Sequence, residues 1–248
     1  MPTNPELSDK LRAYQDKIAD RAEDIIFNVF PKKLFDLQDL VDASSDPSDP
    51  FNIANASTST DPTVYPDPSR DQRQESKKRK VIDGEGRTTS PNTTENARYA
   101  EHVHANKHIE GVHAQLKKEC EELALLCTEV EMWLNSTMPK IEDGDNFGVE
   151  IQEQALVELH RCQQSAYNLR DSARQHHLTR AKICSKLIKY PNVEDYTLTL
   201  KEHDEKVLYA ARVDLFDLRS IYAVMINIFH KNIAKIRAPK ANNSIALY

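Results

Sequence analysis

Apolar residues recur along this chain at alternating steps of three and four positions, which is the period of one face of an α-helix. The first such stripe lies between residues 6 and 30 and consists of Leu7, Leu11, Tyr14, Ile18, Ala22, Ile25 and Val29. Pro31 is expected to kink or interrupt this helix, because proline lacks a backbone N–H. The apolar pattern continues to about residue 42, so residues 1–42 predict one N-terminal helix.

Three more stripes lie in the C-terminal part of the chain, residues 97–248. The second predicted helix runs from about residue 97 to 138 and ends at Pro139. The third starts near Val149 and stops before Pro191, because the residue before a proline avoids the helical region. A short turn leads into the fourth, which ends before Pro239. Since no stretch alternates like a strand, we expect an all-α fold, an antiparallel bundle of four long helices.

Residues 43–96 differ from the rest because Ser, Thr, Asp, Asn and Pro dominate them. Such a composition buries too little apolar surface to offset the entropy of ordering, so it predicts a disordered linker between the first two helices. The linker contains four consecutive basic residues, Lys77, Lys78, Arg79 and Lys80. They are either a solvated charge run or a nuclear import signal, which requires basic residues in an accessible segment.

The composition narrows the classes of function. The chain is 39% hydrophobic and 29% charged, which suits long amphipathic helices that bury further faces between neighbouring copies. A net charge of -6 argues against general nucleic-acid binding. No apolar run approaches the length of a membrane span, and the N-terminus lacks the apolar segment of a signal peptide. We therefore expect neither a membrane nor a nucleic-acid partner, and four reduced, packed cysteines.

Residues 139–152, PKIEDGDNFGVEIQ, separate the second and third helices. The chain has only five glycines, and Gly144 and Gly148 bracket Asp145, Asn146 and Phe147 here. Glycine is needed where the backbone adopts special angles or closely approaches another group. A helix connection requires only a few residues. This longer segment, rich in acid, amide and aromatic side chains, therefore predicts a loop that is presented to a partner.

Catalytic and cofactor signals are weak. The chain contains no phosphate-binding glycine motif, and the exposed pair Glu142 and Asp143 lacks partners that would form a pocket. His104 and His108 have the spacing of a shared metal, but no acid or cysteine completes the set. These two, with His102 and His113, are expected to be solvated at the start of a helix, and no joint role is expected for His176 and His177. We predict no enzyme activity, cofactor or metal.

The chain end, residues 239–248, finishes in Ile245, Ala246, Leu247 and Tyr248. Most chain ends are polar and frayed and carry no function. Apolar residues next to a free carboxylate, however, suit insertion into a pocket that offers a cationic partner. The end is therefore interpreted as a candidate anchoring tail.

These features together resemble the 11S proteasome activators, the REG family, and most closely its gamma type. The resemblance rests on PKIEDGDNFGVEIQEQ at 139–154, TRAKICSKLIKYPNVEDY at 179–196, FPKKL at 30–34 and the ALY ending. It covers essentially all four helices, and the segment at 139–154 is highly specific. The linker does not match in detail except for its basic cluster, which in gamma-type relatives serves nuclear import.

The resemblance implies a ring of seven protomers that caps the 20S proteasome without ATP and admits unfolded proteins and peptides. It implies that C-terminal tails anchor between the proteasome's alpha subunits while loops displace the turns that close its gate. It places the protein in the nucleus, with a cytoplasmic pool, and makes Asn146 the most critical residue. The implied activation loop consists of Lys140, Ile141, Glu142, Asp143, Gly144, Asp145, Asn146, Phe147, Gly148 and Val149.

A competing hypothesis is a nuclear coiled-coil scaffold or adaptor without proteasome activity. It explains the long helices and the basic cluster at 77–80. It explains neither the glycine-bracketed polar loop nor the apolar chain end.

Overall fold

The computed structural model describes residues 5–66, 101–140, 144 and 146–240. An N-terminal helical unit comprises α1, a π-helical segment and α2; α3 is short, and α4, α5 and α6 are long. Their bounds are α1 Pro5–Asp24, the π-helical segment Ile25–Val29, α2 Phe30–Ala43, α3 Asn55–Ser59, α4 Lys107–Thr137, α5 Phe147–Lys189 and α6 Glu194–Arg237. Across these described ranges no strand forms, so the expected all-α bundle is confirmed. At ~1.5 Å per residue, the 43 residues of α5 span about 65 Å.

The disturbance expected at Pro31 is a π-helical segment just before it. The Phe30 N–H donates to the Ile25 carbonyl, five residues back, instead of the usual four. Pro31 has no N–H for the next carbonyl in this pattern, that of Ile26. His230 of α6 supplies the missing donor, because its Nε2 lies 3.0 Å from the Ile26 oxygen. The helical path therefore continues through the proline without leaving this carbonyl unpaired, and His230 fastens it to α6.

The hydrophobic core follows the predicted stripes of the long helices. Phe30 packs edge-on against Tyr222 of α6, with ring centroids 5.7 Å apart. Burial of this kind contributes roughly 1.5–3 kcal/mol for each large side chain. The cysteines carry no disulfide, as predicted, and burial raises the pKa of the Cys120 and Cys162 thiols to about 12. Other fully buried core residues include Ile25, Ile26, Leu37, Leu123, Cys127, Leu134, Leu159, Leu215 and Phe229.

The prediction of a disordered linker does not hold for residues 44–66. This segment forms turns and α3, and it buries Phe51 and Ala56 in the core. Asn side chains form hydrogen bonds with backbone carbonyls that regular secondary structure would otherwise satisfy. Asn55 Nδ2 donates to the Asp49 carbonyl at 2.7 Å, and Asn52 Nδ2 donates to the Ser44 carbonyl. The segment is polar because its residues stabilise turns. The basic cluster at 77–80 and the rest of the predicted linker lie outside the described residues.

Asp204 of α6 explains why this polar segment packs on the bundle. Its carboxylate is fully buried and accepts hydrogen bonds from Arg180 of α5, Asn106 and Thr60, at 3.0–3.1 Å. Arg180 also donates to the His104 carbonyl. Breaking such a buried pair by removing one charge typically costs about 3–5 kcal/mol. One carboxylate thus joins α5, α6, the start of α4 and Thr60, the residue that follows α3.

The second helix begins at Lys107 and not near residue 97 as predicted. Asn106 caps it, since its side chain accepts the Ile109 N–H at 3.2 Å. Before the cap the chain is extended, and His102 forms an isolated antiparallel bridge with Tyr65.

The prediction of solvated histidines is wrong for His113, which is buried between helices. Burial lowers the pKa of its imidazole to about 4 and that of the buried His176 to about 3. Both rings are therefore neutral at physiological pH.

Candidate functional site at the loop end of the bundle

The connection between α4 and α5 and the root of the C-terminal tail lie at the same end of the bundle. The chain passes down α4, up α5 and down α6, so the end of α4, the start of α5 and the end of α6 meet there. We call this the loop end. The candidate loop and the candidate tail therefore leave one face of the protein, although about 90 residues separate them in sequence.

The described loop residues before α5 are exposed, and Gly144 determines the backbone conformation there. Gly144 has φ of 124°, a backbone conformation that other residues rarely adopt. Asn146 occupies the N-cap position of α5 but its side chain makes no capping hydrogen bond, and only its carbonyl accepts the Glu150 N–H, at 2.9 Å. Asn146 is an exposed residue. Since the helix start does not use this amide, it can serve contact with another molecule.

Gln152 ties three helix ends together at the loop end. Its side chain is fully buried, and its Nε2 donates to the Ile236 carbonyl of α6 at 2.8 Å and to Thr137 Oγ1 of α4 at 3.3 Å. The Ile236 carbonyl belongs to the last turn of α6, where carbonyls lack partners within the helix. A buried amide that satisfies such a carbonyl fixes the end of α6 against the start of α5.

Gly148 lets the root of the tail lie directly against the start of α5. A Cβ atom at this position would be 2.1 Å from the Pro239 carbonyl oxygen and 2.6 Å from the Pro239 Cα. Real Cβ atoms do not approach backbone this closely, so any other residue here would displace the Pro239 backbone or the start of α5. Gly148 was predicted to lie in the loop but belongs to the first turn of α5, where it serves a contact with the tail root.

Sequence reasoning missed Gln152 and Pro239 as part of this arrangement. A signal for Gln152 was present: it stands three positions before Ala155, seven before Leu159 and ten before Cys162, in register with the buried stripe of α5. A glutamine in such a register marks a buried polar group that needs partners. Nothing in the sequence pairs Pro239 with Gly148.

The structure describes the candidate site in part. Lys140, Gly144, Asn146 and Phe147 are exposed, while Gly148 is buried and Val149 is partly buried. The other predicted loop residues, Ile141, Glu142, Asp143 and Asp145, lie outside the described residues, as do the tail residues 245–248. No helix of the described chain combines the length and the apolar character that crossing a membrane would require.

The chain matches two protein-family models. The model described as proteasome activator PA28, C-terminal, matches residues 102–246, and the N-terminal model of the same name matches residues 5–63. The N-terminal match includes residues 44–63, in agreement with the ordered segment around α3. Together the two models cover both sides of the predicted linker.

Individual relatives support the same assignment. The human proteasome activator complex subunit 3 is 31% identical over 263 aligned positions, which cover 100% of this chain and 98% of the relative. The crystal structure of the Plasmodium falciparum 11S subunit PA28 superposes with a TM-score of 0.73 at 28% identity, covering 97% of both chains. An activator in a complex with an archaeal 20S proteasome gives a TM-score of 0.65 over 96% of this chain and 99% of the other; at 14% identity it shows the fold alone.

Proposed function

We propose that this chain, which belongs to the PA28 family of proteasome activators, caps the alpha ring of a 20S proteasome and opens its gate without ATP. The observation that carries the proposal is the loop end. There the exposed loop and the root of the tail leave the same face of the protein, and Gly148 contacts Pro239. This face would point toward the proteasome. The chain would act as a regulator and not an enzyme, because the partner would cleave the peptides and unfolded proteins that enter.

We infer that several copies form a ring, with seven as the expected number. Leu7, Leu11 and Tyr14, the first part of the predicted stripe, are 55%, 51% and 52% exposed on α1. Tyr14 and Ile18 line a shallow groove of about 150 Å³ with Met132 of α4. An apolar stripe that remains uncovered in one protomer suits a contact with a neighbouring protomer.

A ring would make weak individual tails sufficient for binding. One short tail in a groove reaches only ~1 mM, or roughly -4 kcal/mol. Several tails on one rigid body act at a high effective concentration, which adds about 10²–10⁴-fold to the affinity. Rigidity at the tail roots matters for this gain, because mobile roots would lower the effective concentration. The Gln152 hydrogen bonds and the contact between Gly148 and Pro239 support such rigidity.

Stimulated peptide hydrolysis by latent 20S proteasome, without nucleotide, is the direct test of this function. The added protein should raise the hydrolysis rate with saturation, and sedimentation should show a particle of about 199 kDa, the mass of seven 28.4 kDa chains. A different stoichiometry would contradict the ring of seven. An unchanged hydrolysis rate would contradict activation. A protein that forms rings yet leaves hydrolysis unchanged would instead favour the scaffold hypothesis.

Replacing Lys77, Lys78, Arg79 and Lys80 with Ala should shift a fluorescent fusion from the nucleus to the cytoplasm. Removing four positive charges abolishes recognition by an import receptor that reads basic residues. Since the cluster is predicted to lie in a linker, sedimentation of the purified variant should match the wild type. Replacing Ser76 and Thr88 with Ala is a control that keeps all four charges. Unchanged nuclear enrichment would make the cluster a solvated charge run.

A further inference from the structure

Three imidazoles converge between α4, α5 and α6, far from the loop end. The His176 ring lies 5.2 Å from His113 of α4 and 5.1 Å from His203 of α6, measured between ring centroids. All three line one open cavity of about 370 Å³. From His203 to the end of α6 the helix rises about 50 Å, so this cluster lies at the opposite end of the bundle from the loop.

Two of the rings bring nitrogens together beside a carboxylate. His176 Nδ1 lies 3.1 Å from His203 Nε2. One ring nitrogen of each histidine and one oxygen of Asp204 lie within 4.8 Å of one another. Two nitrogens bound to one zinc ion at about 2.0–2.1 Å, with a tetrahedral angle between them, stand about 3.3 Å apart. The observed separation is close to this value. Because the two ring planes are parallel and the nitrogens share a hydrogen bond, both rings would have to turn for one ion to bind both nitrogens.

We propose that His176, His203 and Asp204 form a binding site for a divalent transition metal ion of the zinc type. Two imidazole nitrogens and one carboxylate oxygen are a ligand set typical of zinc. Water from the open cavity would complete a tetrahedral site. The proposal departs from the sequence-based prediction of no metal, because the ligands come from two helices and their meeting is not visible in the spacing of histidines.

The surroundings of the three ligands suit this role. Asp204 is oriented by Arg180, Asn106 and Thr60, as the carboxylates of metal sites usually are. Of its two oxygens, Oδ1 accepts its hydrogen bond from Arg180 and retains a second acceptor position. The positive charge of Arg180 opposes a cation nearby, so we expect weaker binding than that of a zinc finger.

His113 provides an independent sign that a ligand belongs in this cavity. His113 is only 4% exposed, and its Nδ1 has no hydrogen-bond partner within the described part of the chain. An unpaired buried nitrogen costs about 1–3 kcal/mol when nothing satisfies it. A water bound to the metal in the same cavity could donate to this nitrogen.

Metal binding requires no net loss of a proton from the two ligand rings. While the nitrogens of His176 and His203 share a hydrogen bond, one of them carries the proton. When both nitrogens bind the metal, that ring becomes the other neutral tautomer, with its proton on the nitrogen that points away. The ion then replaces one hydrogen bond with two coordinate bonds and joins α5 to α6.

The test is titration of untagged, chelator-treated full-length protein with Zn²⁺ by calorimetry, and with Co²⁺ by absorption spectroscopy. We expect one ion per chain and the intense visible absorption of tetrahedral Co²⁺. His176→Gln and His203→Gln should each weaken binding at least tenfold. Zn²⁺ should also raise the unfolding temperature of the wild type but not of these variants, because only the folded site binds.

His177→Gln is the matched control, because His177 is exposed and adjacent to His176 but is not a proposed ligand. It should bind metal like the wild type. Circular dichroism identifies a variant that fails to fold. The Co²⁺ spectrum of the wild type tests the site even if every variant fails to fold. The proposal is overturned if the wild type shows no stoichiometric binding or no tetrahedral Co²⁺ spectrum. It is also overturned if folded His176→Gln and His203→Gln bind as tightly as the control.

Discussion

The Asn146→Tyr variant should form rings that bind the 20S proteasome but fail to open its gate. Asn146 stands at the exposed end of the loop, and its amide offers both a donor and an acceptor. Tyrosine adds bulk where the loop must fit closely against another protein's backbone. We expect stimulated hydrolysis to fall at least about tenfold while the affinity for the proteasome changes by less than about threefold, since the tails remain intact. Hydrolysis assays and binding by surface plasmon resonance measure the two effects.

The structure removes an alternative explanation for such a loss. If Asn146 capped α5, its replacement would destabilise the helix and weaken the ring, but its side chain makes no capping hydrogen bond. The variant should therefore retain its helical circular dichroism, and it should inhibit the wild type by competing for the proteasome. Gln154→Tyr, another replacement of an amide by tyrosine at an exposed position about two turns inside α5, should activate normally. Full gate opening by heptameric Asn146→Tyr would exclude Asn146 from the mechanism.

The long helices were predictable because each carries its own period and its own stop signals. Pro139, Pro191 and Pro239 each lie two residues beyond the observed ends of α4, α5 and α6. These are local effects of a residue that cannot continue a helix. The family could be identified from sequence because the segment at 139–154 is contiguous and can be read without knowledge of tertiary contacts.

The errors came from contacts between distant residues. Residues 44–66 have the composition of a disordered segment, but Thr60 pairs with the buried Asp204, 144 positions away. His113 stands beside exposed histidines in sequence, yet tertiary packing on His176 buries it. The pairs of Gly148 with Pro239 and of Gln152 with Ile236 are of the same kind. Composition reports an average tendency to order, which a single buried charge or amide can override.

Deleting Ile245–Tyr248 should abolish binding to the 20S proteasome and leave the ring intact. The deletion removes the apolar residues and displaces the carboxylate that the proposed anchor needs. It retains Pro239, which contacts Gly148, and Ile236, whose carbonyl is bound by Gln152. Because every tail of a ring loses its contact at once, the loss of avidity should be steep, at least about 100-fold. Sedimentation checks the ring, and peptide hydrolysis with binding to immobilised proteasome checks the anchor.

A matched control separates the tail tip from the tail as a whole. Replacing Asn242 and Asn243 with Ala keeps the length of the tail, its apolar tip and its carboxylate, so this variant should bind and activate nearly as well as the wild type. If the truncated protein still stimulates hydrolysis at a similar concentration, the anchor lies elsewhere. If it binds but does not activate, the tips would act on the gate and the loop would supply the affinity, which reverses the proposed division of roles. Loss of binding in the truncation, together with binding without activation in Asn146→Tyr, would place affinity in the tail and gate opening in the loop.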